Sequence, residues 1–62
     1  MNQEVFVQFT HANLNTPIFV TKTQVFSLYF SETHKATLLL ATGGAMIPVK
    51  ESLDEARKKL QG

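Results

Sequence analysis

Residues 36–60 read Ala-Thr-Leu-Leu-Leu-Ala-Thr-Gly-Gly-Ala-Met-Ile-Pro-Val-Lys-Glu-Ser-Leu-Asp-Glu-Ala-Arg-Lys-Lys-Leu, and this stretch decides the fold. Thr37 to Ala41 is the most apolar run of the chain and predicts a strand over 36–42, with Leu38 and Leu40 on one face and Leu39 and Ala41 on the other. Gly43-Gly44 predicts a tight hairpin with a two-residue turn, because glycine takes positive φ without steric cost. A strand over 45–49 follows. It contains Pro48, which has no N–H to give a ladder, so the strand belongs at an edge or turns Pro48 away from its neighbour. Ser52 then opens a helix over 52–61. Glu55 completes a capping box with it, and Gly62 suits a stop. Asp54 and Glu55 lie at the positive end of that helix, while Arg57, Lys58 and Lys59 lie toward the negative end. Asp54–Lys58 and Glu55–Lys59 have i,i+4 spacing. So short a helix does not persist alone, and it is expected to lay Leu53, Ala56 and Leu60 on the sheet.

Working toward the amino terminus, Ser31 to Lys35 is polar and predicts a hairpin loop. Val25 to Phe30 predicts a strand with two apolar faces: Phe26, Leu28 and Phe30 on one, Val25 and Tyr29 on the other. Thr21 to Gln24 separates two apolar runs and reads as a turn or one helical turn. Ile18 to Val20 is a short strand before it. His11 to Pro17 is a loop with Asn13, Asn15 and Pro17 as turn formers and Leu14 expected to tuck under the sheet. Glu4 to Thr10 alternates, placing Val5, Val7 and Phe9 on one face, with Phe6 the exception on the other. The expected architecture is an α+β fold. A small, mostly antiparallel sheet of four to five strands spans 4–49, with one C-terminal helix packed on it, in a single domain over 1–62.

Composition sets the limits. A chain of 62 residues buries only about 60% of the surface its unfolded form exposes and is marginal by itself. It contains no cysteine, which excludes disulfides and thiolate metal sites, so oligomerisation is the remaining common route to stability. A hydrophobic fraction of 44% is that of a folded domain, and a net charge of +1 exerts no global pull on nucleic acid or membrane. Met1 to Glu4 lacks a signal-peptide pattern, and no apolar run approaches the roughly 20 residues of a membrane span. The expectation is a cytoplasmic protein. One short helix covers one sheet face, which leaves a surplus. The candidate interface is Val25, Tyr29, Leu39 and Ala41, or else the face of Phe26, Leu28, Phe30, Leu38 and Leu40. Three or four such side chains left exposed form a patch of interface size. The partner expected is a second copy of the chain in a dimer, with another protein as the alternative; the competing expectation is a sheet that curls like a small barrel and buries both faces.

Little in the chain suggests chemistry. His11 and His34 sit in predicted loops without metal-ligand spacing, even counting Glu32, and read as solvated side chains. Ser27 and Ser52 have no adjacent base, and Ser52 is explained as a cap. Thr42-Gly43-Gly44-Ala45 leads into a strand and lacks the Gly-Lys-Ser/Thr of a phosphate loop. No cofactor, metal or catalytic residue is expected. Lys50, Arg57, Lys58 and Lys59 are candidate phosphate contacts, with Lys22 and Lys35 as further cations and the strand aromatics as stacking platforms. Glu51, Asp54 and Glu55 balance that cluster, so a solvated helix face is the plainer reading.

The order of elements resembles that of the small flagellar FlbD-like proteins. The likeness is carried by Phe9-Thr10 to Val20, Val25, Ala41-Thr42-Gly43-Gly44, and Val49-Lys50-Glu51-Ser52 with Glu55. Leu14-Asn15-Thr16 stands where that family usually has a glycine in the first loop. Leu53 to Leu60 is similar to the helix that follows a strand and hairpin in the second half of LytTR-type DNA-binding domains. The first resemblance implies a small cytoplasmic bacterial protein that acts through protein contacts and has no catalytic residues. The functional expectation is therefore a non-enzymatic interaction or regulatory module working as a homo-oligomer, with nucleic-acid binding as the alternative.

Overall fold

A computed structural model describes residues 5–61; the expectations for Glu4 and Gly62 fall outside that range. The strands are β1 (Phe6–Thr10), β2 (Pro17–Thr21), β3 (Val25–Ser31), β4 (Ala36–Ala41) and β5 (Ala45–Val49), and helix α1 spans Leu53–Gln61. Lys22–Gln24 forms a 3-10 turn between β2 and β3, the single helical turn expected of that polar break. The fold is α+β, with β1 and β2 as an antiparallel hairpin and β3-β4-β5 as an antiparallel three-stranded sheet.

Alternation along β1 and β2 determines how the hairpin faces the sheet. Val7 pairs with Val20 and Phe9 with Ile18, and residues directly opposite one another share a face. These four side chains enter the core, where Val7, Phe9, Leu39, Val49 and Ala56 are buried and Val25, Leu28, Ile47 and Leu60 pack against them. The core thus lies between two layers: the hairpin and helix on one side, one face of β3-β4-β5 on the other. Each such side chain contributes about 1.5–3 kcal/mol on burial.

The hairpin and the sheet are stitched together beyond Thr10. Lys50 N–H donates to the Thr10 carbonyl at 2.8 Å and Ala12 N–H to the Pro48 carbonyl at 2.9 Å, with His11 bridging Val49. The Glu51 carboxylate accepts from Thr10 N–H at 3.0 Å and from Thr10 Oγ1 at 3.2 Å. Because the Pro48 carbonyl faces Ala12, its missing N–H faces the same way, away from β4. Proline is tolerated here because β4 asks nothing of its nitrogen.

The helix is capped as its letters predict. Glu55 N–H donates to Ser52 Oγ and Ser52 N–H to Glu55 Oε1, both at 3.1 Å. The Ser52 N–H, and after it the Ser52 hydroxyl, favour the ionised carboxylate and hold Glu55 below its ordinary pKa. Glu55 is occupied by the cap, and Lys59 reaches elsewhere: its Nζ donates to the Gln8 carbonyl at 2.8 Å and lies 5.5 Å from the centre of the Phe9 ring. Ala56 is buried and Leu60 packs on the core, but Leu53, at the first turn, stays exposed rather than lying on the sheet.

Other expectations change for local reasons. The β4–β5 hairpin closes at Ala41–Ala45, so its loop holds three residues, Thr42, Gly43 and Gly44, and not two. Gly44 N–H returns to the Ala41 carbonyl at 3.2 Å, and both glycines have positive φ (87° and 81°), which only glycine adopts freely. Leu14 is exposed; the loop carrying it is closed by His11, whose Nδ1 accepts the N–H groups of Asn13 and Leu14 at 3.2 Å each. Asn15 takes φ 60° there, a role suited to asparagine.

Thr37 poses an energetic question. Its side chain is fully buried, it lies opposite Phe30 and Val49, and its Oγ1 has no hydrogen-bond partner among the described residues. A buried hydroxyl without a partner forfeits its hydration for nothing. Thr37→Val should therefore stabilise the fold by about 1 kcal/mol and raise the thermal midpoint by roughly 4–8 °C. Thermal denaturation followed by circular dichroism checks this; a lowered midpoint would mean that the hydroxyl is engaged.

Candidate interaction surface

The candidate interface residues do not share a face. Val25 pairs with Ala41 but Ser27 pairs with Leu40, so a β-bulge at Phe26 shifts the strand by one residue. Past the bulge, Leu28 pairs with Leu39 and Tyr29 with Leu38. Val25, Leu39 and Ala41 thus belong with Leu28 on the core face: Leu39 and Ala41 are buried, and Val25 packs against the core. They are corrected from interface to core. Of the four, Tyr29 alone is on the opposite, outward face, 44% exposed.

That outward face carries Ser27, Tyr29 and Ser31 from β3, Ala36, Leu38 and Leu40 from β4, and Met46 and Pro48 from β5. Leu38, between Tyr29 and Pro48, is only 1% exposed, so the outward face has its own buried centre. The alternative set of Phe26, Leu28, Phe30, Leu38 and Leu40 is likewise divided by the bulge, since Leu28 and Phe30 face inward and Leu38 and Leu40 outward.

The surplus of apolar surface lies largely on phenylalanine. Four of the five phenylalanines are exposed, Phe6, Phe19, Phe26 and Phe30, and Phe9 alone is buried. Phe6 and Phe19 lie on the outer side of the β1–β2 hairpin and, with Val20, Thr21, Gln24 and Ala41, line an open groove of about 410 Å³. Sequence alternation carried a signal for this pair, because Phe6 and Phe19 have the opposite parity to Val7, Phe9, Ile18 and Val20. It carried none for Phe26, whose exposure follows from the bulge.

The candidate phosphate contacts are largely committed within the protein. Arg57 reaches Asp54 at 2.7 Å and Gln61 at 3.4 Å, and Lys58 lies 3.4 Å from the other Asp54 oxygen. The Arg57 hydrogen bond, then that of Lys58, holds the Asp54 carboxyl below its ordinary pKa. Lys59 is engaged by Gln8 and Phe9, while Lys50 is exposed and gives its backbone N–H to Thr10. Lys22 starts the 3-10 turn, and Lys35 closes the β3–β4 loop at φ 53°.

The histidines have local duties. His11 organises the first loop, and His34 Nδ1 lies 3.0 Å from Ser31 Oγ, which also accepts the His34 N–H. Among the described residues no group of three or more His, Cys, Asp or Glu side chains converges as a metal site would. No helix among them is long and apolar enough to cross a membrane.

No protein-family model matches this chain, and neither a curated protein nor a solved structure shows a significant match to it. The likeness to FlbD-like and LytTR-type proteins rests on the quoted residues alone.

Proposed function

We propose that the protein is a non-enzymatic interaction or regulatory module that acts as a homo-oligomer. The observation that carries this reading is the exposure of four phenylalanines together with Tyr29 and Met46 in a domain this small. A 62-residue chain that spends most of its aromatic side chains on its surface forgoes the burial it most needs. A second molecule seated on one of these surfaces restores part of that burial. The nucleic-acid alternative is weakened by the engagement of Arg57, Lys58 and Lys59 within the chain.

Static light scattering over a dilution series tests the reading. The expected result is a mass of at least twice the 6.9 kDa chain at high concentration. A single-chain mass at every concentration would overturn it. Salt-dependent binding of generic DNA or RNA by that single chain would favour the alternative.

A further inference from the structure

The backbone of β3 pairs on one side only among the described residues. The carbonyl of Pro48 faces Ala12, so Pro48 directs its backbone polar groups away from β4. Leu38, opposite Pro48, then directs its own N–H and C=O toward β3, where it exchanges hydrogen bonds with Tyr29. Backbone groups alternate along a strand, so Leu28 and Phe30 point theirs away from β4. Among the described residues, β4 is the only strand that β3 pairs with, and no turn or loop bond between backbones reaches Leu28 or Phe30. The edge therefore presents two N–H and two C=O groups at i and i+2.

We infer that two copies of this chain pair antiparallel through their β3 edges, with Leu28 opposite the partner's Phe30 and Tyr29 on the dyad. The inference rests on the homo-oligomer reading and assigns its contact. Of the two-fold registers that alternation permits, this one engages every outward group of both edges: Leu28 and Phe30 of each copy exchange both bonds with the partner's Phe30 and Leu28, while Tyr29 meets the partner's Tyr29 as a non-hydrogen-bonded pair, the arrangement that brings side chains closest. The same surface patch serves both copies, as a two-fold interface requires. The sequence of β3, Val-Phe-Ser-Leu-Tyr-Phe-Ser, carries no charge, proline or glycine, the residues by which proteins ordinarily close an edge to pairing. Its one irregularity, the bulge, ends at Ser27 and leaves Ser27 to Ser31 in regular register.

Area sets the strength. Phe26, Tyr29 and Phe30 are 69%, 44% and 48% exposed, which offers roughly 300 Å² per copy and about 600 Å² per pair. A stable interface buries at least about 1,200 Å². The edge-paired dimer is therefore reversible and concentration-dependent.

The natural absence of cysteine makes the test direct. In Tyr29→Cys the two introduced thiols face each other across the dyad at the spacing a disulfide needs. Mild oxidation at high protein concentration should convert most of this variant to a covalent dimer, at least tenfold faster than Phe19→Cys, which places its thiol on the outer hairpin face. Circular dichroism of both reduced variants verifies the fold. Should Tyr29→Cys lose it, Tyr29→Lys replaces it, with the light-scattering mass expected to fall to one chain at concentrations where the parent is dimeric. If the parent is oligomeric but the two cysteine variants oxidise equally, or Tyr29→Lys leaves the mass unchanged, the β3 contact is overturned and the oligomer reading stands. If the parent is one chain at every concentration, both fail.

Discussion

Phe9→Ala should unfold the protein at 25 °C. Phe9 is 0% exposed and is the one phenylalanine the fold buries. It projects from β1 into the core with Val7, Leu39, Val49 and Ala56, and Lys59 closes over its ring. Truncating a buried phenylalanine costs about 3–5 kcal/mol, from the lost transfer free energy and the cavity left behind. A single core in a chain of this length supplies no more than about 3–5 kcal/mol of net stability. The two magnitudes meet, so the folded population should largely disappear. Far-UV circular dichroism at low and high protein concentration checks this, with Phe19→Ala as the companion. Phe19 is 60% exposed, and its removal should change stability by no more than about 0.5 kcal/mol in the isolated chain. A cooperative Phe9→Ala transition close to that of the parent would mean that the two layers do not depend on this contact.

Leu38→Ala is the second large effect, and a less obvious one. Leu38 lies on the sheet face turned away from the core, yet is as buried as the core residues. Its directly opposed neighbours are Tyr29 and Pro48. Leucine-to-alanine changes at buried sites cost about 2–5 kcal/mol, least where the surroundings collapse into the space. Tyr29 is partly exposed and free to settle, so we expect about 2 kcal/mol, read as a lower midpoint in urea with an unchanged slope. A cost below about 0.5 kcal/mol would show that this outward face contributes nothing to the fold.

Much of the architecture was legible because local rules govern it. Ser52 and Glu55 satisfy one another three residues apart, and no distant residue alters that. Val7 and Phe9 enter the core on the parity that alternation assigns them, and the polar break at Thr21–Gln24 makes one helical turn. The β4–β5 loop changed by one residue for local reasons, but the readings that changed most involve partners farther along the chain. Lys59 has a carboxylate within helical reach and takes the Gln8 carbonyl instead, because docking of α1 brings β1 beside it. Leu14 and Leu53 are apolar but lie where no second layer arrives.

The candidate interface shows the distinction most sharply. Strict alternation groups Val25 with Tyr29, and the bulge at Phe26 separates them. A bulge is a property of two strands, since it exists only where one residue of a partner faces two of its neighbour. Nothing in Val-Phe-Ser-Leu-Tyr-Phe-Ser announces it.

The sequence alone determined the elements, the helix cap, the places where the chain turns, the α+β class and the excess of apolar side chains over what one short helix covers, because each follows from local conformational preference and from counting. Only the tertiary structure decided which of those side chains are spent inside. That depends on register, on the bulge and on the seam between β1 and β5, which arise between segments up to about 40 residues apart, as in the Thr10–Glu51 bonds. Pairing between strands moved Leu39 into the core and left Tyr29 on the outward face, because the face a side chain occupies is set by the strand opposite it.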